Sequence, residues 1–333
     1  MKQKKKKHIL RRILVILLVL VLLAAAAFIG IPLAETVSVK TADRSADWMA
    51  DLDDSLGLNE IVLPGTHDAA TQYVQLAFFS KCQALSIGEQ LEAGFRYLDI
   101  RLGLDDNGIK LMHGFTSCKT GPMPWSGTLC LDAVLEQCYG FLKAHPTETV
   151  VFAVKKEHGD ETAQAFAEKL EAEIAKNAGY WYTGKALPSL GEVRGKLVLL
   201  RRYLDSSLPS DADCAGVTFY WKDQKGREDP SKHIESYECG EWKLWVQDRF
   251  EYGKEDKWTA FRNGLKEENI APEDLSVHFL STKGTLIYGH PYLFAKPLNA
   301  RLLELPQDAL RGWIIVDFAD AQIAQHIWSA NFQ

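Results

Sequence analysis

Two histidines and an arginine stand where apolar runs of the sequence end. His67 and His113 each follow such a run, and Arg101 ends the run that lies between them. Histidine has an ordinary pKa near neutrality, so a pair of histidines can supply the base and the acid of one turnover. Arginine adds a permanent positive charge on a planar fork that matches phosphate oxygens. These residue types predict a site that moves protons around a bound phosphate ester.

Several other polar residues also follow apolar runs. If Ala153 faces the interior of a sheet barrel, the alternation of side chains along a strand points Lys155 and Glu157 to the interior as well. The alternative is that these residues form a charged turn exposed to solvent. One member of the pair Arg201-Arg202 should point inward, but parity alone does not decide which. These residues are candidates for contacts with substrate.

Two acids complete the candidate set. Asp317 follows the run 314–316, where a carboxylate could orient the His67 ring and stabilise its charged form, or could simply cap a helix. Asp248 precedes Phe250 by two residues, so an acceptor of sugar hydroxyls would stand beside a stacking face. An exposed turn acid is the alternative for Asp248.

Short apolar runs alternate with helix-like segments throughout the body of the chain. The runs lie at 60–63, 97–102, 110–113, 149–154, 196–200, 216–220, 242–246, 277–280 and 313–316. The helix-like segments include 86–93, 129–144, 162–177, 254–268 and 295–305. This alternation predicts parallel βα units, and about seven to nine strands in one domain predict an α/β fold with a closed or nearly closed barrel. Polar groups at the C-terminal strand ends of such a barrel converge on one face.

The N-terminal segment differs from the rest of the sequence. Residues 1–12 are mostly basic and 13–34 carry no charge. A helix of that length would be about 33 Å long, enough to cross a bilayer, with the lysines on the cytoplasmic side. We expect a signal anchor or a signal peptide at 1–35, a stalk with a short helix at 36–56 and a catalytic body at 57–333. Either reading puts the body outside the cell, anchored or secreted.

Charge and cysteine content limit the partners. The chain has 38 Lys and Arg against 44 Asp and Glu, a net charge of −6 although the N-terminus is basic. This balance argues against nucleic acid as a partner. Six cysteines in an exported chain are compatible with disulfides or with buried thiols, and we expect a Cys214–Cys239 pair. Nothing in the sequence indicates oligomerisation, so a monomer is expected.

Together these residues resemble the bacterial phosphatidylinositol-specific phospholipase C family over about 59–318. Each motif is weak by itself, but their order and spacing are highly specific. The motifs are Leu63-Pro64-Gly65-Thr66-His67-Asp68, Phe95-Arg96-Tyr97-Leu98-Asp99-Ile100-Arg101, His113-Gly114, the segment 141–151 leading into Lys155-Lys156-Glu157, Arg194-Gly195-Lys196 through Arg202-Tyr203, Val246-Gln247-Asp248 and Val316-Asp317-Phe318.

The resemblance implies a distorted TIM barrel and an intramolecular phosphotransfer on phosphatidylinositol or a glycosylated relative at a membrane surface. His67, oriented by Asp317, would take the proton of the inositol 2-hydroxyl. Arg101 would bind a phosphate oxygen, and His113, supported by Asp68, would protonate the departing diacylglycerol oxygen. The products would be a cyclic inositol phosphate and diacylglycerol. The inositol ring would be held by Lys155, Glu157, Arg202, Asp248 and Phe250.

Three further expectations follow. No cofactor or metal is expected, because Arg101 stands where the calcium-dependent eukaryotic relatives use acids, and a cation beside a guanidinium is unfavourable. The family commonly has tyrosine where this chain has Phe250, which keeps a stacking face and loses a hydroxyl. The segments 123–125 and 219–221 are either insertions into the bilayer interface or ordinary packing.

Two other functions are alternatives. A glycerophosphodiester phosphodiesterase also combines a barrel with paired histidines, but it depends on a metal held by acids. A non-catalytic binder of inositol lipids or glycans would not need the complete set of acid, base and phosphate ligand.

Overall fold

The computed structural model describes residues 2–33, 37, 42–105, 108–123, 125–209, 214–226, 228–232, 234–285 and 289–333. The chain divides into two compact units, Met1–Thr36 and Val37–Gln333. The first unit contains helix α1 (Lys2–Leu33). Within it, Lys6–Ala26 has a mean hydropathy of 2.7 and none of it is buried. This helix is long and apolar enough to cross a membrane, and a signal sequence would have the same features.

The second unit holds all the strands of the described chain. The strands are β1 (Leu63–Thr66), β2 (Tyr97–Asp105), β3 (Gly108–His113), β4 (Thr116–Ser117), β5 (Val150–His158), β6 (Trp181–Tyr182), β7 (Leu197–Arg202), β8 (Val217–Thr218), β9 (Glu235–Glu238), β10 (Lys243–Gln247), β11 (Leu275–Phe279) and β12 (Trp313–Val316).

Helices follow most of these strands in the chain. The helices are α2 (Ala77–Ser80), α3 (Ile87–Glu92), α4 (Leu131–Ala144), α5 (Ala163–Ala175), α6 (Leu190–Val193), α7 (Lys254–Gly264), α8 (Tyr292–Leu303) and α9 (Ala321–Trp328). Short 3-10 helices lie at Ser45–Asp51, Ala178–Tyr180, Pro230–Lys232, Gln307–Ala309 and Ser329–Phe332.

Parallel ladders curl the sheet into an incompletely closed barrel. They join β10, β11, β12, β1, β2, β5, β7 and β8 in that order. Among the described residues no ladder joins β8 to β10, and a side-chain bond from Gln224 Nε2 to the Val246 carbonyl oxygen (3.0 Å) bridges that side. The predicted distorted (β/α)8 barrel is therefore confirmed, with β8 reduced to two residues.

Alternation along the strands separates an inner core from an outer one. In β2, the Tyr97 ring contacts Phe219 and Trp313, whereas Leu98, Ile100 and Leu102 belong to a different core cluster that includes residues of α4 and α5. The same period directs Val198 inward. Every second side chain of a strand therefore points into the barrel. At the C-terminal ends of the strands, the side chains that point inward are polar.

The residues of the Ser45–Asp51 helix pack into the core of the body. Trp48 is 1% exposed, stacks on Trp328 with ring centroids 6.0 Å apart, and donates from Nε1 to the Gly94 carbonyl oxygen at 2.9 Å. This helix falls within the predicted stalk 36–56. Its buried tryptophan belongs to the hydrophobic core of the second unit.

Two expected strands and one expected disulfide need correction. Most of the run predicted as a strand at 60–63 is not a strand. Glu60 ends a turn in which its amide donates to the Gly57 carbonyl oxygen, and β1 begins only where Leu63 pairs with Trp313. Strand β3, which contains the predicted run 110–113, forms an antiparallel hairpin with β2 and is not one of the parallel barrel strands. The Cys239 thiol is free, so the predicted pairing with Cys214 is wrong.

Candidate active site

The C-terminal ends of the barrel strands enclose a cavity of about 320 Å³. Nine of the ten predicted site residues line it, and the tenth, Asp68, is buried directly beneath. The lining residues from that set are His67, Arg101, His113, Lys155, Glu157, Arg202, Asp248, Phe250 and Asp317. Residues spread over 250 positions of sequence thus face one space.

His67 is held at the rim by the close approach of β1 to its neighbours. A Cβ atom at Gly65 would lie 2.3 Å from the Ile315 side chain and 2.8 Å from Tyr97, so only glycine fits in the middle of this strand. The His67 amide donates to the Val316 carbonyl oxygen at 3.0 Å and continues the β1–β12 ladder. The imidazole therefore leaves the sheet from a fixed backbone position.

The His67 ring is oriented by Asp317. Its Nδ1 lies 2.7 Å from Asp317 Oδ1. Burial and the Arg101 charge disfavour the charged ring, but the Asp317 and Asp68 carboxylates together outweigh them, and the pKa of His67 is raised above its ordinary value. Asp68 (φ 45°) and Phe318 (φ 51°) follow the two partners in left-handed conformations, which cost energy for non-glycine residues. Both sharp turns direct the preceding side chains into the cavity.

Arg101 lies between the carboxylates and the His67 ring. Its Nη2 is 2.7 Å from His67 Nε2. Since a guanidinium only donates, Nε2 must accept, and we assign the single proton of the neutral ring to Nδ1, facing Asp317. Arg101 also contacts Asp68, Asp99 and Glu157, each at 3.2 Å. A phosphate that draws Arg101 away would leave Nε2 of His67 ready to accept a proton.

Asp68 connects the arginine with both histidines. Its Oδ2 lies 3.1 Å from His113 Nδ1, 3.2 Å from Arg101 Nη1 and 3.8 Å from His67 Nε2. His113 Nδ1 is also 2.9 Å from the Ser80 carbonyl oxygen. With Nδ1 engaged by these acceptors, Nε2 is the nitrogen of His113 that is available to a ligand.

Burial and the arginines set the charge state of the carboxylates. Burial by itself would raise the pKa of Asp99, but Arg101 and Arg202 outweigh it and lower the value to about 2. For Glu157 burial is likewise outweighed, by Arg101 and Lys155, and its pKa lies well below the ordinary range. Burial dominates at Asp68 and raises its pKa. Asp99 and Glu157 are therefore permanent anions that hold Arg101.

Asp99 was not among the predicted site residues. It is fully buried, accepts from the Asp68 amide at 3.1 Å and from Arg101, and lies 3.8 Å from Arg202 Nη1. The sequence did contain a signal, because Asp99 and Arg101 share one face of a strand. The sequence did not show that a second arginine, Arg202 of β7, approaches Asp99.

Another part of the cavity wall combines charged groups with aromatic rings. The Arg202 guanidinium lies 3.5 Å from the centroid of the Trp221 ring, and both residues donate to Asp248 Oδ2, at 3.1 and 3.0 Å. Lys155 Nζ is paired with Glu157 Oε2 at 2.8 Å. Phe250 presents its ring beside them. These residues line the same cavity as the two histidines.

Gln83 also was not among the predicted site residues, and no sequence pattern indicated it. It is fully buried, and its Nε2 donates to the carbonyl oxygens of His67 (2.7 Å) and Val316 (3.0 Å). Its Oε1 accepts from the Ala319 amide at 2.8 Å. One amide therefore ties together the ends of β1 and β12, from which His67 and Asp317 emerge.

The structure distinguishes the two neighbouring arginines and places the aromatic segments. Arg202 faces the cavity, whereas Arg201 is buried on the other face and donates to Thr218. Phe219 and Trp221 are 0% and 2% exposed, so they pack in the core and do not reach a bilayer. Trp125 is 82% exposed. Pro124, between Trp125 and Met123, lies outside the described residues.

One group of residues has the composition of a metal site. Ligand atoms of His67, Asp68 and Cys82 lie within 4.8 Å of one another. Arg101 contacts both the His67 nitrogen and the Asp68 oxygen, so a hard cation such as calcium would compete with a guanidinium for the same atoms.

The chain was compared with known proteins. The family model "Phosphatidylinositol-specific phospholipase C, X domain" matches residues 66–203. The 1-phosphatidylinositol phosphodiesterase of Listeria monocytogenes is 30% identical over 314 residues, which are 88% of this chain and 87% of the relative. The protein of the same name from Staphylococcus aureus strain Newman is 28% identical over 291 residues, 82% of this chain and 88% of the relative.

Solved structures agree with these relatives. A double mutant of the phosphatidylinositol-specific phospholipase C from Staphylococcus aureus superimposes with a TM-score of 0.69 and 26% identity, covering 88% of this chain and 98% of that chain. The fold and the clustered histidines and arginine define a TIM-barrel protein of the phospholipase C type. The chain belongs to the bacterial phosphatidylinositol-specific phospholipase C family, which confirms the resemblance of its motifs.

Proposed function

We propose that this chain is a phosphatidylinositol diacylglycerol-lyase that cleaves phosphatidylinositol by intramolecular phosphotransfer. The observation that carries the proposal is the contact of one Asp68 oxygen with His67, Arg101 and His113, at 3.8, 3.2 and 3.1 Å. A base, a phosphate ligand and an acid are thereby gathered at one cavity. The relatives named above are 1-phosphatidylinositol phosphodiesterases, which supports the same substrate.

The proton transfers follow from the tautomers. His67 Nε2 accepts the proton of the inositol 2-hydroxyl, while Nδ1–H stays bonded to Asp317. The oxygen attacks phosphorus and the bond to the diacylglycerol oxygen breaks. His113 gives a proton to that oxygen, and Arg101 stabilises the charge on the phosphate. The products are a cyclic inositol phosphate and diacylglycerol.

The ring-binding wall gives the reaction its specificity. Asp248 and Glu157 can accept hydrogen bonds from inositol hydroxyls, and Lys155 and Arg202 can donate to them. Phe250 stacks on the sugar without the hydroxyl of the tyrosine that is common in the family. The arrangement fits phosphatidylinositol and its glycosylated relatives alike.

An apolar rim supports a membrane surface as the partner. Phe79 and Pro291 line the mouth of the cavity. Leu76, Phe115 and Leu293 are 58%, 77% and 48% exposed in the neighbouring segments. Exposed apolar groups near a cavity for a lipid head group suit an interface between water and lipid. A monomer would suffice, because both histidines come from one chain.

We further infer that residues 1–35 export the body, as a cleaved signal or as an anchor on the outer side of the cell membrane. The hydropathy of Lys6–Ala26 supports both forms. Turnover without a metal is supported by Arg101, which already supplies the positive charge at the phosphate.

The decisive experiment is phosphorus NMR of the full-length protein with phosphatidylinositol and excess chelator. We expect a transient cyclic phosphate signal. His67→Ala should lower the rate by roughly 10³-fold or more, whereas His158→Ala, an exposed histidine at the end of β5, serves as the matched control and should not. Activity that needs calcium would favour the metal-dependent phosphodiesterase. Unchanged turnover in His67→Ala would exclude the proposed mechanism.

A further inference from the structure

Lys257 of helix α7 is a buried titratable residue that has no part in the proposed reaction. It is 0% exposed. Its Nζ donates to Gln247 Oε1 at 2.9 Å and to the Arg249 carbonyl oxygen at 3.2 Å. Both acceptors are uncharged, although lysine is rarely buried without an opposite charge beside it. The position of this side chain in the core therefore points to a role at these two oxygens.

The two oxygens belong to the residues on either side of Asp248 in the chain. In the described part of the protein, the ladders of β10 end at Gln247. Past this point side chains hold the backbone. The Asp248 amide donates to Gln224 Oε1 at 2.7 Å. The Arg249 amide donates to Gln247 Oε1 at 3.1 Å. Because Asp248 lies beyond the strand ladders, these side-chain bonds determine where its carboxylate enters the cavity.

Lys257 can hold both oxygens in either protonation state. Burial and the Arg249 charge outweigh the carboxylates of Asp248 and Asp317, and they lower the pKa of Lys257 to about 7. An ammonium group has three N–H donors and a neutral amine has two, so two acceptors are satisfied in both forms. The contact therefore depends on the length and direction of the side chain and does not depend on its charge.

We propose that Lys257 is a positioning residue, which holds Asp248 and Phe250 in place for the inositol ring and thereby sets the affinity for the lipid head group. The Arg249 carbonyl group lies between these two residues in the chain, so its bond to Lys257 restrains both of them. The Phe250 carbonyl oxygen is held as well, by the Lys283 amide at 3.0 Å. This inference rests on the proposed function, because that function assigns Asp248 and Phe250 to the ring of the substrate.

Lys257→Met in the full-length protein removes both donors and keeps an unbranched apolar side chain in the core. Asp248 binds the ring in the ground state and the transition state alike, so its displacement raises KM more than it lowers kcat. We expect KM for phosphatidylinositol in mixed micelles to rise roughly tenfold or more, with kcat within about threefold. Lys266→Met, at an exposed lysine just past the end of α7, is the matched control and should change neither constant.

Urea denaturation shows whether each variant folds. If Lys257→Met does not fold, Lys257→Gln is measured instead, because its shorter amide cannot reach both oxygens and should raise KM in the same way. A folded variant with the KM of the wild type would overturn the proposal.

A double-mutant cycle distinguishes positioning from general support of the fold. If Lys257 acts through Asp248, adding Lys257→Met to Asp248→Ala should raise KM by less than about threefold beyond Asp248→Ala alone, because coupled changes do not add. Effects that multiply in full would show that Lys257 does not position Asp248 and would reject the proposal.

Saturation-transfer NMR with free myo-inositol measures ring binding without turnover. The signal should be weaker in Lys257→Met than in the wild type and unchanged in Lys266→Met. This difference in a protein that does not cleave phosphatidylinositol would keep the positioning role and reject the proposed function. Cleavage by the wild type together with equal inositol signals in all three proteins would do the reverse.

Discussion

Replacing Asp317 by asparagine removes the carboxylate that fixes the His67 ring and keeps a side chain of nearly the same size. In the wild type, Asp317 Oδ1 accepts from Nδ1 at 2.7 Å while Nε2 accepts from Arg101, also at 2.7 Å. An asparagine amide can donate to Nδ1 instead, which moves the ring proton to Nε2. That proton would face Arg101 and would block the atom that must act as the base.

The expected loss is large because the wrong tautomer cannot accept the proton. The equivalent exchange in a histidine dyad of the serine protease type lowers kcat about 10⁴-fold. For Asp317→Asn we expect a reduction of roughly 10³–10⁴-fold, about 4–5.5 kcal/mol in the activation barrier. The affinity for substrate should change little, because Asp317 holds the base and not the ring of the lipid.

The pH profile provides a second readout. The base must be neutral, so kcat/KM falls as pH drops through the pKa of His67, which lies above the ordinary value of about 6.5. Since the Asp317 carboxylate raises that pKa, the acid limb of the remaining activity in Asp317→Asn should move to lower pH. Initial rates with phosphatidylinositol in mixed micelles across this pH range give both quantities.

Asp320→Asn is the matched control. Asp320 caps α9 by accepting from the Gln322 amide at 2.8 Å, and asparagine caps equally well, so its rate and profile should stay unchanged. An Asp317→Asn protein that keeps a rate within tenfold of the wild type, or whose acid limb does not move, would refute the role of Asp317.

Three further predictions concern stability and membrane contact. Gln83→Leu leaves the buried backbone groups at the ends of β1 and β12 without partners, so urea denaturation should show a loss of about 2–5 kcal/mol together with a lower kcat. Trp48→Ala should lower the free energy of unfolding by roughly 3–5 kcal/mol in the same assay, and a change near zero would show that this helix does not stabilise the core. Leu76→Ser combined with Phe115→Ser should weaken binding to phosphatidylinositol vesicles in sedimentation roughly tenfold or more, while hydrolysis of soluble cyclic inositol phosphate stays constant.

Local periodicity made part of the site predictable. Lys155 and Glu157 share the parity of Ala153, so the strand period alone predicted that the three side chains point the same way, and the cavity lining shows that Lys155 and Glu157 point inward. The same rule did not decide between Arg201 and Arg202, because it needs a reference residue whose direction is known. The inward packing of Val198 in β7 supplies that reference and selects Arg202.

Contacts between distant segments were not predictable. Gln83 and Cys82 lie in an irregular stretch before α3, where no period indicates a direction, yet both reach the ends of β1 or the histidines. The Cys214–Cys239 pairing was wrong for the same reason, since an even count of cysteines carries no information about distance. The pairing of Asp99 with Arg101 could be predicted because the two residues are close in sequence. The approach of Arg202 to Asp99 could not, because Arg202 lies about a hundred residues later.

The sequence by itself determined the apolar N-terminal helix, the alternation of strands and helices, and the motifs of the family, because each depends on neighbouring residues and on backbone period. Only the tertiary structure decided that His67, Arg101 and His113 meet at one oxygen of Asp68, that Gln83 fastens two strands and that a thiol stands beside both rings. These contacts depend on how the barrel curls and where its turns end, and that geometry is set by the packing of the whole core.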